Sequence, residues 1–303
     1  MGQQNCCPIF ILIKKIYEKI VSLIIVTISA LSVVISCKSG SAGEAYTLKM
    51  RLAPGDNFKQ ELNMNMDMKM AGFNMKMIME AETSFEVLAA DTSGKQMRLT
   101  YTKMKMKMDM GELNKAVSSD SMMNESQQKI VGKSVTLTLS PENEIIKVSG
   151  FDSLMNNDLY DPVTKQLFEK TFSKEQLNSM FGMMFNMYPS KPVRVGNSWT
   201  SKSKFNMANI DMGVNTKYKL IAVKDGIAEI DVDGKMDGDG NMKQENINVG
   251  MSMKGTQKGR MQIKISDGYL HSGSYKMDAS AEVEMMGQKI PITMIADYEM
   301  TGK

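Results

Sequence analysis

The sequence predicts a mainly β protein in which two related antiparallel, curved sheet units form a half-barrel or open barrel, with a central amphipathic helical insertion. Three observations predict this fold class. Three stretches carry methionine at every second residue, two long C-terminal stretches alternate apolar and polar residues, and similar β motifs recur in the same order in the two halves. Because successive side chains of a strand point to opposite faces, each methionine stretch has one thioether face and one polar face.

The N-terminal segment is typical of an export signal. Lys14, Lys15 and Lys19 precede a 17-residue apolar run from Ile20 to Ser36, and Cys37 follows it. A basic flank, an apolar stretch and small residues before the cleavage site define a signal peptide. The alternative is an uncleaved membrane helix, although the run is short for a bilayer, which takes roughly 20 residues.

The end of that run, Val34-Ile35-Ser36-Cys37, resembles the lipobox of bacterial lipoproteins. This resemblance implies that Cys37 is lipidated and becomes the mature N-terminus. The Gly/Ser-containing stretch after it is flexible by composition. Lys38-Ser39-Gly40 lacks an acidic cluster, which favours an outer-membrane anchor that faces the periplasm. N-myristoylation at the start of the chain is disfavoured because Cys6 stands where that signal requires Ser or Thr.

The first two methionine stretches predict a hairpin with Ala71-Gly72 as its two-residue turn. Met70 then faces Phe73, and Met64 faces Met79, so the apolar side chains share one face. The third stretch changes the parity of its apolar residues, which indicates a β-bulge near Thr102 or Lys103.

The C-terminal strands follow the same alternation around a predicted turn at Gly287-Gln288, which pairs Met285 with Ile290, Val283 with Ile292 and Met277 with Tyr298. His271 alternates with Tyr269 and Tyr275, so we expect it on the same apolar face, in the core or lining a pocket. The strands are long, and long curved sheets enclose space.

A duplication is indicated by matching motifs. Gly55-Asp56-Asn57-Phe58 parallels Gly196-Asn197-Ser198-Trp199, and the stretch 85–89 parallels 218–222. The alternative is that β-meanders of similar composition resemble one another. The predicted organisation is a signal peptide (1–36), a tether (37–47), a first β-unit (48–150), a helical connection (151–192) and a second β-unit (193–303).

The helical connection is predicted from capping and spacing. Asp161-Pro162 supplies an N-cap and a first-turn proline, and Ser173 with Gln176 forms a capping box. Leu177, Met180, Phe181 and Met184 then recur at helical spacing. We expect the apolar stripe of this helix to lie against the methionine face, as a fixed plug or as a lid.

The order of these elements resembles an uncharacterised family of bacterial lipoproteins that carries a domain of unknown function. The resemblance rests on the lipobox, the alternating Met/Thr strands, a turn like Met286-Gly287-Gln288, the strand-turn-strand VTLTLSPENEIIKV and the Gly-Asn-Ser-Trp opening of the second half. It implies a β-rich fold in the cell envelope and no known activity.

The composition argues against several functions. The formal net charge is only +3 and no basic stripe occurs, so nucleic acid is an unexpected partner. With His271 as its single histidine, the chain offers no Ser-His-Asp arrangement or zinc-ligand cluster, and we expect no catalytic residue, metal or cofactor. The run DVDGKMDGDG at 231–240 has some EF-hand character through Asp237, Asp239 and Asn241, but an acidic hairpin loop explains it equally well.

The methionines are therefore the candidate ligand-binding residues of a non-catalytic, membrane-anchored protein that holds a lipid or another apolar ligand in a concavity. One alternative is a structural or protein-interaction module in which the methionines are packed core or an exposed apolar surface. A second is Cu(I) binding, which soft thioethers permit. The candidate residues are Met64, Met66, Met68, Met70, Met75, Met77, Met79, Met104, Met106, Met108, Met110, Met180 and Met184.

Overall fold

The computed structural model describes residues 43–109, 131–141, 145–150, 186–207, 210–244, 247–285 and 287–303. Within these residues, eleven strands form one antiparallel sheet. The strands are β1 (Asn57–Met70), β2 (Phe73–Asp91), β3 (Gly94–Asp109), β4 (Ser134–Leu139), β5 (Ile145–Ser149), β6 (Ser198–Met207), β7 (Ile210–Lys224), β8 (Ile227–Gln244), β9 (Ile247–Lys264), β10 (Leu270–Met285) and β11 (Gln288–Gly302).

The strand order is β5-β4-β3-β2-β1-β11-β10-β9-β8-β7-β6. Each half is a meander of sequential hairpins, and the pairing of β1 with β11 joins the halves into one sheet. The expected two sheet units are thus parts of a single open sheet, with β5 and β6 at its edges. Main-chain pairing between the first and last strands covers one of the two exposed edges that each separate unit would present.

The predicted helical connection cannot be compared directly with the structure. Most of 151–192, including both predicted helix starts, lies outside the described residues, as do Cys37 and the signal peptide. Among the residues described, no helix is long and apolar enough to cross a membrane.

The predicted N-terminal hairpin is confirmed. Met70 pairs with Phe73 and Met64 with Met79, across a turn in which Ala71 and Gly72 both have positive φ. The bulge is also confirmed. Tyr101 pairs with Thr83 and Lys103 with Glu82, so Thr102 is the inserted residue that shifts the buried positions of β3 from odd to even numbers.

The predicted register of the C-terminal hairpin is wrong by two residues. Met285 pairs with Gln288 and Val283 with Ile290, so each of these β10 residues meets a β11 residue two positions earlier than predicted. Gly287 takes φ +76°, a conformation that glycine adopts without steric cost, and this places it in the turn. Because a shift of two residues keeps side-chain parity, the apolar residues still share one face.

The two halves repeat a hydrogen-bonded corner in which a Gly-Asp or Gly-Asn pair binds the second strand of the hairpin that follows, near the end of that strand. In both halves the bonds precede a bulge, between Val87 and Ala89 in β2 and between Leu220 and Ala222 in β7. This shared arrangement supports a common origin of the two halves. The bonds run from Gly55 N to Val87 O (2.8 Å), Val87 N to Asp56 O (2.8 Å), Gly196 N to Leu220 O (2.7 Å) and Leu220 N to Asn197 O (3.0 Å).

One face of the sheet, called here the inward face, carries most of the buried apolar side chains. Two described segments, 46–52 and 187–193, pack against it and are bridged by backbone hydrogen bonds between Tyr46 and Val193. The segment 46–52 is extended and buries every second residue, from Tyr46 to Leu52. The segments 46–52 and 187–193, which are far apart in sequence, therefore meet over the inward face.

Candidate functional site

The described methionines of the three predicted stretches all lie on the inward face and are buried. Met64, Met77 and Met79 are at most 1% exposed. Cross-strand partners in this set include Met64 with Met79 and Met66 with Met77. The remaining candidates, Met110, Met180 and Met184, lie outside the described residues. The buried set is Met64, Met66, Met68, Met70, Met75, Met77, Met79, Met104, Met106 and Met108.

Strand register extends this methionine surface across the sheet. Following each inward residue to its partner on the next strand traces a row over nine strands, from β6 to β3. We call this row the transverse belt, and its last three members are methionines. The belt is Trp199, Tyr218, Val232, Gly259, Tyr275, Tyr298, Met64, Met79 and Met106.

The aromatic members of the belt are the part that the sequence patterns did not identify as a site. Trp199 stacks on Tyr218 with 5.6 Å between ring centroids. Its indole Nε1 donates a 2.8 Å hydrogen bond to the carbonyl of Met187, which fixes the ring against the 187–193 segment. Tyr275 and Tyr298 are cross-strand partners. Parity alone assigns these rings to the inward face, but their alignment in one row depends on the register of six strands.

The Tyr275 ring lies over glycine backbone. A Cβ added to Gly259 would stand 2.8 Å from the ring's Cδ1, and one added to Gly273 would stand 2.8 Å from its Cε2. Side chains at these two inward positions would therefore occupy the space of the ring. An aromatic ring over cross-strand glycines restores the packing that the glycines lack.

Polar groups on this face are few and uncharged. Among the described residues, the buried polar side chains other than tyrosine are Gln60, Thr83 and Thr216. The hydroxyls of Tyr188 and Tyr275 are buried and have no hydrogen-bond partner within the part of the chain that the structure describes. Such groups are rare in native structures, because an unpaired buried donor loses its bonds to water and regains nothing.

Burial sets the protonation of these phenols. Desolvation raises the pKa of Tyr188 and of Tyr275 well above the usual range, since the charged form is disfavoured away from water. Desolvation also raises the pKa of Tyr218 to about 12, and its hydrogen bond with Thr216 opposes that rise. The Tyr298 hydroxyl contacts Met277 Sδ at 3.6 Å. The phenols therefore remain neutral hydrogen-bond donors.

A surface groove runs beside this part of the interior. It has a volume of about 320 Å³ and is lined by 47–50 and 188–192. Because Tyr188 lines the groove and also packs against the inward cluster, the groove lies next to the buried phenols.

Charges lie on the opposite, outward face. Lys103 Nζ lies 2.6 Å from Glu80, and this hydrogen bond lowers the pKa of the Glu80 carboxyl. Glu82 accepts hydrogen bonds from Thr102 and, at 3.0 Å, from Lys59, and these lower its pKa in that order of effect. The two faces are thus chemically distinct, one apolar with neutral phenols and the other ionic.

The expectation for His271 is wrong. His271 is exposed, because a register shift between Leu270 and Ser272 makes it the bulged residue of β10 and turns its side chain outward. Tyr269, beyond the bulge, belongs to a second cluster in which its ring stacks on Phe58 at 4.2 Å and its hydroxyl donates to Asp56 at 2.9 Å. The histidine therefore lines no apolar surface.

The acidic run at 231–240 is neither a calcium loop nor a hairpin loop. It lies inside β8, which pairs with β7 and β9 along its length. Its aspartates are at outward odd positions, where Asp237 stands opposite Lys254, and glycines such as Gly234 take inward positions. Asp/Gly alternation with a period of two is a strand pattern. In the described chain, no group of three or more His, Cys, Asp or Glu side chains is placed to hold a metal ion.

The fold and its apolar inward face define an all-antiparallel, single-sheet class of β protein, as far as the described residues show. A family profile described as "Family of unknown function (DUF6263)" matches residues 92–270, which is more than half of the chain. The protein belongs to this family. The predicted domain of unknown function is thereby confirmed, whereas the lipoprotein assignment stays a prediction. A comparison with curated proteins gave no match.

Two solved structures are distantly similar to this chain. A lipovitellin structure described by its lipid–protein interactions is 9% identical, with a TM-score of 0.43 over 84% of this chain and 25% of that chain. The chain thus spans about a quarter of the length of that lipovitellin chain. An outer membrane channel from Pseudomonas putida F1 is 4% identical, with a TM-score of 0.21 over 88% of this chain and 100% of that chain. Similarities at these TM-scores carry no argument about function.

Proposed function

We propose that this protein is a non-catalytic lipoprotein of the cell envelope that binds a lipid or another apolar ligand on the inward face of its sheet. The observation that carries the proposal is the transverse belt, an apolar row that crosses nine strands without a charged side chain. Methionine is flexible and polarizable, so a methionine-rich surface adapts its shape to chains of varied length.

The location is proposed from the sequence. Signal cleavage before Cys37 and lipidation of that cysteine would hold the sheet at the outer membrane, facing the periplasm, through the residues between Cys37 and Tyr46, where the packed segment begins. Replacing Cys37 with Ser in the full chain should shift the protein from the detergent phase to the aqueous phase and abolish labelling by radioactive palmitate. Replacing Cys6 and Cys7 with Ser is the matched control and should change neither result. Palmitate labelling that survives in the Cys37→Ser variant would refute the anchor.

The deep burial of the methionines bears on the alternatives. Met64 is 0% exposed, which is also what an ordinary packed core produces in a structural or interaction module. The same burial disfavours copper exchange, since a metal carrier must reach its thioethers from solvent. The decision between a packed core and a ligand site therefore depends on whether lipid reaches the inward face.

Trp199 is a built-in reporter for this question, because it is the single tryptophan of the chain and lies in the transverse belt. Gently purified full-length protein would first be analysed by native mass spectrometry for co-purifying lipid. It would then be delipidated and titrated with a brominated phospholipid, which quenches indole fluorescence at contact distance. We expect saturable quenching of Trp199.

The control moves the indole to the outward face. Ile295, which is 44% exposed there, is replaced by Trp in a Trp199→Phe background. We expect the bromolipid to leave this variant unquenched, because the outward face contacts no ligand in the proposal. Absence of co-purified lipid, together with equal or no quenching of the two proteins, would reject lipid binding and favour the structural module.

A further inference from the structure

The structure assigns to the hydroxyls of Tyr188 and Tyr275 the role of binding the polar end of an uncharged lipid, through an ester or ketone oxygen. We call these two groups the phenol site. This inference rests on the proposed lipid-binding function and deepens it, because it names the chemical class of the ligand. It starts from the two buried hydroxyls that have no hydrogen-bond partner.

The first step is that the two hydroxyls share one neighbourhood. Tyr275 is in the transverse belt, and Tyr188 packs against the same inward cluster from the 187–193 segment. Tyr188 interacts electrostatically with both Tyr218 and Tyr275. Tyr218 hydrogen-bonds with Thr216, whereas the hydroxyls of Tyr188 and Tyr275 have no hydrogen-bond partner among the described residues.

The second step is that the missing partner is an acceptor. Both phenols keep their protons because burial raises their pKa, so each offers an O–H donor. A single carbonyl oxygen has two lone pairs and accepts two such donors. Binding that oxygen would supply the hydrogen bonds that the free protein lacks.

The third step excludes a charged head group. Among the described residues, no Lys, Arg or His is buried on the inward face, where the buried non-phenolic polar groups are Gln60, Thr83 and Thr216. A buried carboxylate or phosphate without a cation carries a large desolvation penalty. An ester or a ketone has no charge to desolvate, and its hydrocarbon part matches the methionine end of the belt.

The geometry also gives a polar end a place to lie. The Tyr275 ring rests over Gly259 and Gly273, so its position is set by backbone rather than by a movable side chain. Tyr188 lines the surface groove at 47–50 and 188–192, which borders solvent. Lys49 and Lys191 also line this groove, but both are exposed to solvent, so neither is buried beside the two hydroxyls to offset the desolvation of a charged head group. The hydrocarbon part would extend along the belt towards Met64 while the oxygen stays near the groove.

The test uses three pyrene probes with the same hydrocarbon chain, which end in a methyl ester, an ionised carboxylate or a methyl group. Delipidated full-length protein is titrated with each probe. We expect the ester to bind at least about 10-fold more tightly than the carboxylate. We expect it to bind at least about 5-fold more tightly than the plain hydrocarbon, which is the gain that one or two hydrogen bonds provide. Tyr188→Phe and Tyr275→Phe should each weaken ester binding about 5-fold, so that the preference for the ester over the hydrocarbon falls in each variant.

A stability measurement separates binding from structure. Because each hydroxyl is unpaired in the free protein, both Phe variants should melt at the same temperature as the wild type or higher when delipidated. Tyr269→Phe is the matched control, since it removes the hydrogen bond to Asp56 outside the inward cluster. That variant should lose stability and keep full ester affinity.

The outcomes distinguish the two levels of the proposal. If ester and hydrocarbon bind equally to the wild type and the Phe variants, lipid binding stands and the phenol site is refuted. If the carboxylate binds most tightly, the uncharged class is refuted. If no probe binds and no lipid co-purifies, the proposed function itself fails and the phenol site fails with it. Lower melting temperatures of Tyr188→Phe and Tyr275→Phe without ligand would show structural hydroxyls instead.

Discussion

Deletion of Thr102 is a severe test of the sheet, because a deletion inside a strand normally turns every following side chain to the other face. Here we expect the opposite. Thr102 is the inserted residue between the Tyr101–Thr83 and Lys103–Glu82 pairs. Without it, these two pairs become direct neighbours in a regular ladder, and the methionines at the end of β3 keep both their partners and their face.

The expected cost is small for that reason. The deletion removes hydrogen bonds from the Thr102 hydroxyl to Glu82 on the exposed face, which are together worth about 1 kcal/mol. Loss of the bulge also restores a continuous ladder, which offsets part of that loss. We expect the free energy of unfolding to change by no more than about 1 kcal/mol.

Deletion of Lys105 is the matched control, because it also shortens β3 by one outward residue. Met106 and Met108 keep their partners only if Thr102 becomes a regularly paired residue and the bulge is lost. Lys103 then turns inward and Met104 turns outward. Exposing one buried Met costs about 1.5–3 kcal/mol, and turning a lysine towards the apolar face adds to this. We therefore expect a loss of roughly 3 kcal/mol or more.

The assay is urea denaturation followed by Trp199 fluorescence and by far-UV circular dichroism, which together report the midpoint and the slope. The wild type and the two deletion variants would be compared as delipidated proteins. Equal losses for the Thr102 and Lys105 deletions would show that the bulge does not set the parity of β3. That result would refute the structural reasoning about the methionine face.

Three further predictions test packing and electrostatics. Gly259→Ala should cost roughly 3 kcal/mol or more of folding stability, since the added Cβ would stand 2.2 Å from the Ser274 carbonyl oxygen. Gly250→Ala is the control and should cost little, because its Cβ would meet the nearest atom at 3.4 Å. Thermal melts compare the two variants. In urea titrations, Met64→Ala should lower the free energy of unfolding by about 2–5 kcal/mol and Met64→Leu by less than about 1.5 kcal/mol. Similar losses for the two variants would argue against a fully packed site. The Glu82 carboxyl has a lowered pKa when folded, so its contribution to stability is present above its unfolded pKa and is lost as the pH falls through the folded pKa. Glu82→Gln should therefore flatten the fall of the urea midpoint between about pH 5 and pH 3, and an unchanged slope would contradict the assignment.

Much of the fold follows from residue order alone. The period of two in the methionine stretches predicts which side chains share a face, and the Ala71-Gly72 turn predicts the register of the first hairpin, because a two-residue turn fixes every pair after it. The parity change before Met104 predicts the bulge at Thr102. These features are local, so the sequence within one hairpin determines them.

Other predictions were wrong, because the alternation of apolar residues shows which side chains share a face but does not show where a turn or a bulge lies. The predicted register of the C-terminal hairpin was displaced by two residues, because a turn at 286–287 and a turn at 287–288 both contain Gly287 and put the same side chains on each face. His271 was assigned to the wrong face because a bulge at a strand start leaves no long alternating run to reveal it. The acidic run of β8 was misjudged because Asp and Gly are common in turns, although their alternation is that of a strand.

The sequence by itself determined the β class, the two chemically different faces and the methionine surface, since these depend on the spacing of neighbouring residues. Only the tertiary structure decided that β1 pairs with β11, which makes one sheet from two related halves. Only that pairing, together with the registers of five other strand pairs, aligns Trp199, Tyr275 and Met64 in one belt. Contacts between residues more than 200 positions apart depend on main-chain hydrogen bonds, which every residue type offers and no local pattern specifies.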